Sequence, residues 1–320
     1  MFDLLNVLKD ANTVGISGHI RPDGDCVGSC MAMYMYLTKM FPTKRIDVFL
    51  EPIPPVYDCI KRLDEVRCDF VTDVERYDAF LVIDCDNTRI GNAEAYFDNA
   101  KVKINIDHHI SNKGCGDFNY IVPSASSACE LVFDLIKEEE MDEDIALSLY
   151  LGMIHDCGVF QYSNTSAKTL QTAAKLIEFG FDFSKIIEET FYQKTYLQNK
   201  LLGKAITDSQ LILDGHSIYS VISKKTMDEC SAKPSDLDGI VNQLRNTKGV
   251  DCAIFMYELE TGQYKVSMRS NEKVNVSVIA QAFGGGGHVK AAGVTMNGTV
   301  LEVVESLSKL IEEQLKLPQA

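Results

Sequence analysis

Positive charge is in short supply in this chain. Its 320 residues hold 31 lysines and arginines against 46 aspartates and glutamates, a formal net charge of -15. No basic surface therefore offers itself to long duplex DNA or to an anionic membrane. An anionic substrate would have to be held by local cations, which bound metal ions can supply. Long apolar runs are also missing: no segment reaches the roughly 18 residues of a membrane span. The start, Met1-Phe2-Asp3-Leu4-Leu5, lacks the basic flank and apolar stretch of a secretory signal. Ten cysteines are present, but they are scattered and form no C-x-x-C pair, which points to reduced thiols. There is neither an internal repeat nor a low-complexity tract. A soluble, cytoplasmic protein is expected.

What the chain does carry is 46% hydrophobic residues over a length that outgrows one core, since single cores stop growing at roughly 250 to 300 residues. Two domains are expected. Phe2, Leu5, Val7 and Leu8 suggest a short amphipathic helix. Thr13 to Ser17 then reads as a buried strand, Gly18-His19-Ile20-Arg21-Pro22-Asp23-Gly24-Asp25 as a loop, and the apolar run Val27 to Phe41 as a helix. Pro22 and Gly24 permit a tight turn that aims His19, Asp23 and Asp25 at one point. The same stretch also reads as a capped turn with Asp25 near a helix N-terminus. Ile46 to Leu50 is a further strand, and Ala79 to Ile83, apolar throughout, reads as a buried parallel strand ending at Asp84. Val102, Ile104 and Ile106 alternate with the period of a strand and lead into Asp107-His108-His109. In open α/β sheets, ligands sit beyond the carboxyl ends of strands. Successive strand ends bearing carboxylates and imidazoles exceed what turn chemistry explains, so a metal site is expected there.

Ser127 and Glu130 match a capping box opening a helix through Ile136. A helix over Asp144 to Ile154 leaves Asp156 at its end. There the helix dipole opposes a carboxylate and asks for a cation, although a solvated Asp before a C-cap glycine, Gly158, is common. Helices follow at Ser166 to Phe179 and Phe183 to Phe191. Gln193 to Lys204 turns polar, with a thin stripe at Tyr196, Leu197 and Leu201, as in a connecting helix. Beyond it, strands are expected at Ile218 to Ile222, Ala253 to Leu259 and Tyr264 to Met268, the last two as a hairpin. Helices are expected at Ile240 to Arg245, Val274 to Phe283 and Leu301 to Leu315. The fold class is thus α/β, with a parallel-sheet domain (1–190), a linker helix (191–206) and a smaller mixed α/β domain (207–320). The second domain has its own cluster, Ser267 and Arg269 at a strand end and Gly284 to Gly287 before His288. Four consecutive glycines are costly to order, and close approach of backbone N–H groups to a phosphate or base would repay them. A small-residue helix start is expected at Ala291-Ala292-Gly293. The plainer alternatives are a loose loop and a solvated arginine.

The set His19-x3-Asp23-x-Asp25, Asp84, Asp107-His108-His109 and Asp156, followed by Gly-Gly-Gly-Gly-His, resembles the DHH/DHHA1 phosphoesterases over essentially the whole chain. Within them it resembles the bacterial nanoRNase/pAp-phosphatase group. The resemblance implies two Mn²⁺ ions, with Mg²⁺ or Co²⁺ as substitutes, in a DHH catalytic domain and a DHHA1 domain that closes over the substrate. It implies His19, Asp23 and Asp84 on one metal and Asp25, Asp84, His108 and Asp156 on the other, with Asp84 bridging. Carboxylate and imidazole donors suit Mn²⁺. It also implies that Asp84 and His108 are catalytic together with His109, which faces the substrate as a hydrogen-bond donor or acid. Asp107 orients an imidazole or a neighbouring loop. Ser267, Arg269, His288 and the backbone of Gly286 and Gly287 grip the other phosphate and nucleotide.

The activity implied is Mn²⁺-dependent hydrolysis of di- and short oligoribonucleotides to nucleoside 5′-monophosphates, with possible removal of the 3′-phosphate of pAp. A cyclic- or linear-dinucleotide phosphodiesterase is the enzymatic alternative. A silent nucleotide-binding regulator is the non-enzymatic one, disfavoured because no ligand is missing. A long-strand exonuclease lacks its extra nucleic-acid-binding domain and basic groove here, and the second domain does not resemble that of inorganic pyrophosphatases. The partners expected are short oligoribonucleotides or nucleotides, with no long duplex DNA and no membrane; a homodimer is compatible with the sequence.

Overall fold

A computed structural model describes residues 2–316, and the chain divides between Gln193 and Lys194 into two compact units. Met1 and residues 317–320, the outer ends of the two expected domains, lie outside the described residues. In the first unit the elements run α1 (Leu4–Leu8), β1 (Thr13–Ser17), α2 (Gly24–Met40), β2 (Arg45–Phe49), β3 (Ala79–Ile83), α3 (Glu94–Asn99), β4 (Val102–Asp107) and β5 (Phe118–Ile121). Then come α4 (Ala128–Leu135), α5 (Glu143–Asp156), α6 (Ala167–Ile177) and α7 (Phe183–Ile187). The strands form one parallel sheet in the order β2-β1-β3-β4-β5. The connection leaving β1 runs to β2 on one side and the connection leaving its neighbour β3 runs to β4 on the other, so a crevice opens beyond their carboxyl ends. Edge strand β5 was not expected from the sequence: its short stretch Phe-Asn-Tyr-Ile is half open to solvent and carries no clear alternation.

Helix α2 is buried along nearly its whole length, as an all-round apolar helix must be. It packs against α5, and Gly152 permits the approach. A Cβ there would fall 2.2 Å from the Cys129 Sγ and 3.0 Å from the Asp25 Cα. One turn beyond Gly152, on the same helix, stands Asp156. Helix α5 runs two residues past the expected Ile154, so Asp156 is its last residue rather than a residue beyond it. The capping box at Ser127 is only half made. Ser127 accepts the Glu130 N–H at 3.1 Å, but the buried Glu130 carboxylate turns to the hydroxyls of Ser126 (2.6 Å) and Thr169 (2.8 Å) instead. The helix expected over Phe183 to Phe191 changes pitch after Ile187 and ends in a π turn, Glu188–Tyr192.

The second unit opens with α8 (Tyr196–Thr207), whose Leu201 and Ala205 join that unit's core, while Tyr196, expected on the apolar stripe, is 85% exposed. Then follow β6 (Gln210–Ile212), β7 (Ser217–Ile222), α9 (Lys224–Glu229), α10 (Ile240–Arg245), β8 (Cys252–Glu260) and β9 (Gln263–Ser270). The unit ends with α11 (Val276–Ala282), β10 (Gly286–His288), β11 (Ala291–Asn297) and α12 (Val300–Leu315). Its mixed sheet has the order β10-β11-β9-β8-β7-β6, antiparallel except for β7 beside β8. The expected helix start at Ala291-Ala292-Gly293 is instead the first half of β11. Small residues suit that position because β11 is paired on both sides, with β9 and β10. Among the described residues no helix is long and apolar enough to cross a membrane, and all ten cysteines are free.

Candidate metal centre

The site forms where β1, β3 and β4, adjacent in the sheet, deliver their carboxyl ends. Past β1, His19 is buried, its Nδ1 2.9 Å from the Ile20 carbonyl and its Nε2 3.5 Å from the Asp23 Oδ1 and 3.3 Å from the Asp84 Oδ2. Asp23 also caps α2, its Oδ1 accepting the N–H groups of Asp25 and Cys26 at 3.1 Å. The two sequence readings of this loop, capped turn and convergent donors, are therefore one geometry. Asp25 points the other way. Its two oxygens accept the Ala128 N–H at 2.6 Å and the Cys129 N–H at 2.9 Å, at the N-terminus of α4, where the helix dipole favours an anion.

Asp84 is the centre of the cluster. It adopts φ +66, which few non-glycine residues do, and its N–H donates to the Ile106 carbonyl at 2.9 Å. Its Oδ2 faces His19, and its Oδ1 lies 3.4 Å from the Nε2 of His108. That Oδ1 is buried without a hydrogen-bond partner, a costly state for a carboxylate oxygen unless a cation meets it. The His108 Nε2 in turn stands 3.7 Å from the Asp25 Oδ2 and 3.6 Å from the Asp156 Oδ2. His19, Cys26 and Asp84 form one group of donor atoms within 4.8 Å of one another, and Asp25, His108 and Asp156 form another. Burial pushes the Cys26 thiol well up, which keeps it neutral; the remaining donors are oxygen and imidazole nitrogen, a set that fits a hard divalent cation.

The titration behaviour has one electrostatic cause. Burial works against charge on His19, yet Asp23 and Asp84 outweigh it and push the imidazole up to about 12. Burial likewise opposes charge on His108, but Asp84, Asp25 and Asp156 raise it to about 10. Burial, only partly offset by His108 and reinforced by Asp84, lifts Asp156 to about 6. Burial with Asp84 and Asp156 raises Asp25 well above the carboxylate range. Too many carboxylates share one buried space, so it retains protons that a cation would displace.

Asp107 has a different task. It is fully buried, and its Oδ1 accepts the N–H groups of His108 (2.7 Å) and His109 (3.1 Å) and pairs with the His109 Nδ1 at 2.7 Å. Its Oδ2 accepts from the Asn112 side chain at 2.6 Å. So engaged, it orients the loop and the His109 ring; that bond comes first among the causes that raise His109 above an ordinary histidine. Asn112 also donates to the Asn105 Oδ1 at 3.0 Å, and Asn105 ties back to the carbonyls of Val82 and Cys85. Sequence reasoning missed this pair. The available signal was an amide in the middle of β4, a strand buried on both faces. Asn112→Ala should cost about 2 to 6 kcal/mol, because two buried acceptors lose a donor at roughly 1 to 3 kcal/mol each. Urea unfolding measures it, and a loss under about 0.5 kcal/mol, the size of an ordinary surface change, would rule the network out as a structural support.

In the second unit the strand register aligns the remaining residues. Arg269 pairs with Ala291, which pairs with His288; Ser267 pairs with Gly293, which pairs with Gly286. Cross-strand partners and residues two apart share a face, so Ser267, Arg269, Gly286 and His288 occupy one face. The intervening Met268 and Ala292 fill the core on the other. Gly287, between Gly286 and His288 in β10, is exposed and adopts φ +145, and a Cβ there would come 2.4 Å from the Ala291 carbonyl oxygen.

The sequence matches the model of the DHH family, N-terminal domain, over residues 13–153 and that of the DHHA1 domain over residues 216–317. It is 29% identical to the bifunctional oligoribonuclease and PAP phosphatase NrnA of Bacillus subtilis, over 92% of each chain. The structure is similar to an exopolyphosphatase-related protein from Bacteroides fragilis, with TM-score 0.88, 24% identity and coverage of 96% of this chain and 94% of that one. It is more distantly similar to RecJ from Thermus thermophilus in complex with Mn²⁺, with TM-score 0.52, 12% identity and coverage of 98% and 53%.

Proposed function

Because the chain belongs to the DHH/DHHA1 phosphoesterases, which are metal-dependent hydrolases, we propose that this nucleotide phosphodiesterase cleaves di- and short oligoribonucleotides. The products are nucleoside 5′-monophosphates, and pAp is a second substrate. The observation that carries the reading is Asp84, buried and left-handed, which faces His19 through Oδ2 and His108 through an orphaned Oδ1. It supports a carboxylate shared by two cations, Mn²⁺ first, with Mg²⁺ or Co²⁺ able to substitute. His19, Asp23 and Asp84 would hold one, and Asp25, Asp84, His108 and Asp156 the other. When bound, such a pair supplies Lewis acidity at the phosphate and acidifies water.

The chain's own groups do the rest. Asp107 holds His109 by Nδ1, which leaves Nε2 to donate a hydrogen bond to a phosphoryl oxygen or a proton to the departing 3′ oxygen. Ser267, Arg269 and His288, on one sheet face, offer a hydroxyl, a guanidinium and an imidazole to the substrate's other phosphate and base.

One product analysis tests the proposal: RNA of two to about ten nucleotides, chosen because longer strands favour basic grooves, pAp and cyclic dinucleotides, each with Mn²⁺. Release of 5′-monophosphates from the dinucleotide is expected. An intact dinucleotide sinks the proposal. Cleavage of cyclic dinucleotides alone would shift the assignment to a cyclic-dinucleotide phosphodiesterase, and metal binding without any turnover would favour a regulator.

A further inference from the structure

The proposed chemistry leaves the arginines beside the site without a task. The first unit contains Arg21, Arg45, Arg62, Arg67, Arg76 and Arg89. Arg45 is paired with Asp47 and Asp73, Arg62 with Glu65, and Arg67 with Asp47. Arg76 donates to the Asn99 carbonyl at 2.8 Å. The exposed guanidinium groups of Arg21 and Arg89 make no hydrogen bond or ion pair among the described residues, in a chain with 46 acidic side chains.

Both belong to the loops that carry the site's donors. Arg21 lies between His19 and Asp23, and Arg89 closes the turn Asn87–Arg89 that follows Asp84. The two loops are joined, since the Ile20 N–H donates to the Arg89 carbonyl at 2.8 Å and the Ile20 Cγ2 lies 2.9 Å from where a Cβ on Gly91 would be. Each backbone is pinned while its head group is left available. Arg21, at φ +56, donates its N–H to the Glu51 carboxylate at 2.8 Å, and Asp86 caps the turn of Arg89 through the Thr88 N–H at 2.9 Å. A left-handed backbone at a non-glycine residue is conformationally costly and persists where the surroundings over-determine it. The remaining cation of these strand-end loops, Lys113, donates to the Ile110 carbonyl. Against them stand Asp23, Asp25, Asp84, Asp86 and Asp107. Metal ions would answer the interior acids, but a substrate phosphate not in contact with those ions still needs a counter-charge at the rim. Guanidinium forks match phosphate oxygens two at a time.

We propose that Arg21 and Arg89 form a phosphate clamp at the rim of the metal centre. It contacts the terminal phosphate next to the scissile one from the first unit, in addition to the contacts proposed above for Ser267, Arg269 and His288, and the preferred substrates are short oligonucleotides that carry that phosphate. This rests on the phosphodiesterase reading above and adds to it a specificity for end phosphorylation carried by the first unit.

The test compares kcat/KM for the 5′-phosphorylated dinucleotide pApA with that for ApA, with Mn²⁺. The wild type should prefer pApA. Arg21→Ala and Arg89→Ala should each reduce that preference about tenfold, the value of one charge-assisted contact. Arg89→Lys should retain part of it, and added salt should shrink it. Arg76→Ala, which removes an arginine with a carbonyl partner elsewhere, should leave the preference unchanged. An unaltered ratio in both alanine variants overturns the clamp, as does a wild type indifferent to the 5′-phosphate. Calorimetric binding of pApA separates this from the phosphodiesterase reading. If neither dinucleotide is cleaved, the phosphodiesterase reading fails; about tenfold weaker binding by the variants still supports the clamp, and equal binding overturns it.

Discussion

Asp84→Asn is expected to lower kcat by on the order of 10³-fold or more, because the Lewis-acid contribution at stake is several kcal/mol and each 1.36 kcal/mol is tenfold in rate. Asparagine is the appropriate probe. It keeps the shape of the side chain and tolerates the left-handed backbone found here at φ +66, whereas alanine would add strain of its own. The second signature is thermodynamic. Without metal, Asp84 shares a buried space with Asp25 and Asp156, whose carboxyls are driven upward by burial and by Asp84. Neutralising it relieves that repulsion. The same change removes the anion that His19 and His108 face, so the decisive readout is the response to metal: the variant should gain little stability from Mn²⁺, because ligand-linked stabilisation requires binding. Thermal unfolding with and without Mn²⁺, beside dinucleotide turnover, measures both. A variant that keeps full activity, or the full metal-induced rise in Tm, would remove Asp84 from the centre.

His108→Ala and His109→Ala should fail in different ways. His108 faces Asp84, Asp25 and Asp156 through one nitrogen, at 3.4, 3.7 and 3.6 Å, so its loss should weaken metal binding by about 10-fold to 100-fold or more, at least the cost of losing a partner that only supports a ligand. His109 is held by Asp107 and half exposed; its loss should leave metal affinity intact and reduce kcat about 10²-fold to 10⁴-fold, the usual worth of a positioned acid. Equal metal loss in both would show that the division of labour is wrong.

The pH dependence separates them further. His108 is raised to about 10 in the folded protein, so its contribution to metal-free stability is complete below its unfolded value near 6.5 and is lost as pH climbs toward about 10. Asp156, raised to about 6, acts in a lower window. Folding becomes less favourable as pH rises from the unfolded value near 4 to about 6, where the buried carboxyl must ionise. Mn²⁺ must displace these protons, so wild-type affinity should strengthen with pH and binding at neutral pH should release protons. Calorimetry in buffers of different ionisation enthalpy counts them. His108→Ala should release fewer, and His109→Ala as many as the wild type.

Much of the first unit was readable because its chemistry stands at strand ends. Ala79 to Ile83 is apolar at every position, Val102 to Ile106 alternates, and each run stops at an acid; a parallel sheet with polar groups at one edge follows from that pattern alone. Other features left no such mark. Strand β5 is four residues at a sheet edge, and β10 is three residues that include two glycines. Their identity comes from the neighbours they pair with, so Ala291 to Gly293 could be mistaken for a helix start. Glu130 fitted a capping box, but a buried carboxylate goes to the nearest donors, and these lie on Ser126 and on Thr169 of a distant helix.

The sequence by itself determined which donors are available: carboxylates and imidazoles spaced by tight turns after buried strands, in a chain whose net charge of -15 calls for cations at any phosphate site. Only the tertiary structure decided how each is used. Asp107 and Asp84 are both buried acids at the ends of neighbouring strands, yet Asp107 is surrounded by donors while Asp84 keeps an orphaned oxygen. Arg21 and Arg67 are both arginines, yet one keeps its head group available and the other closes on Asp47. The reason is physical: a side chain's chemistry is local, but whether its lone pairs and protons are already spent depends on residues that only folding brings within about 3 Å.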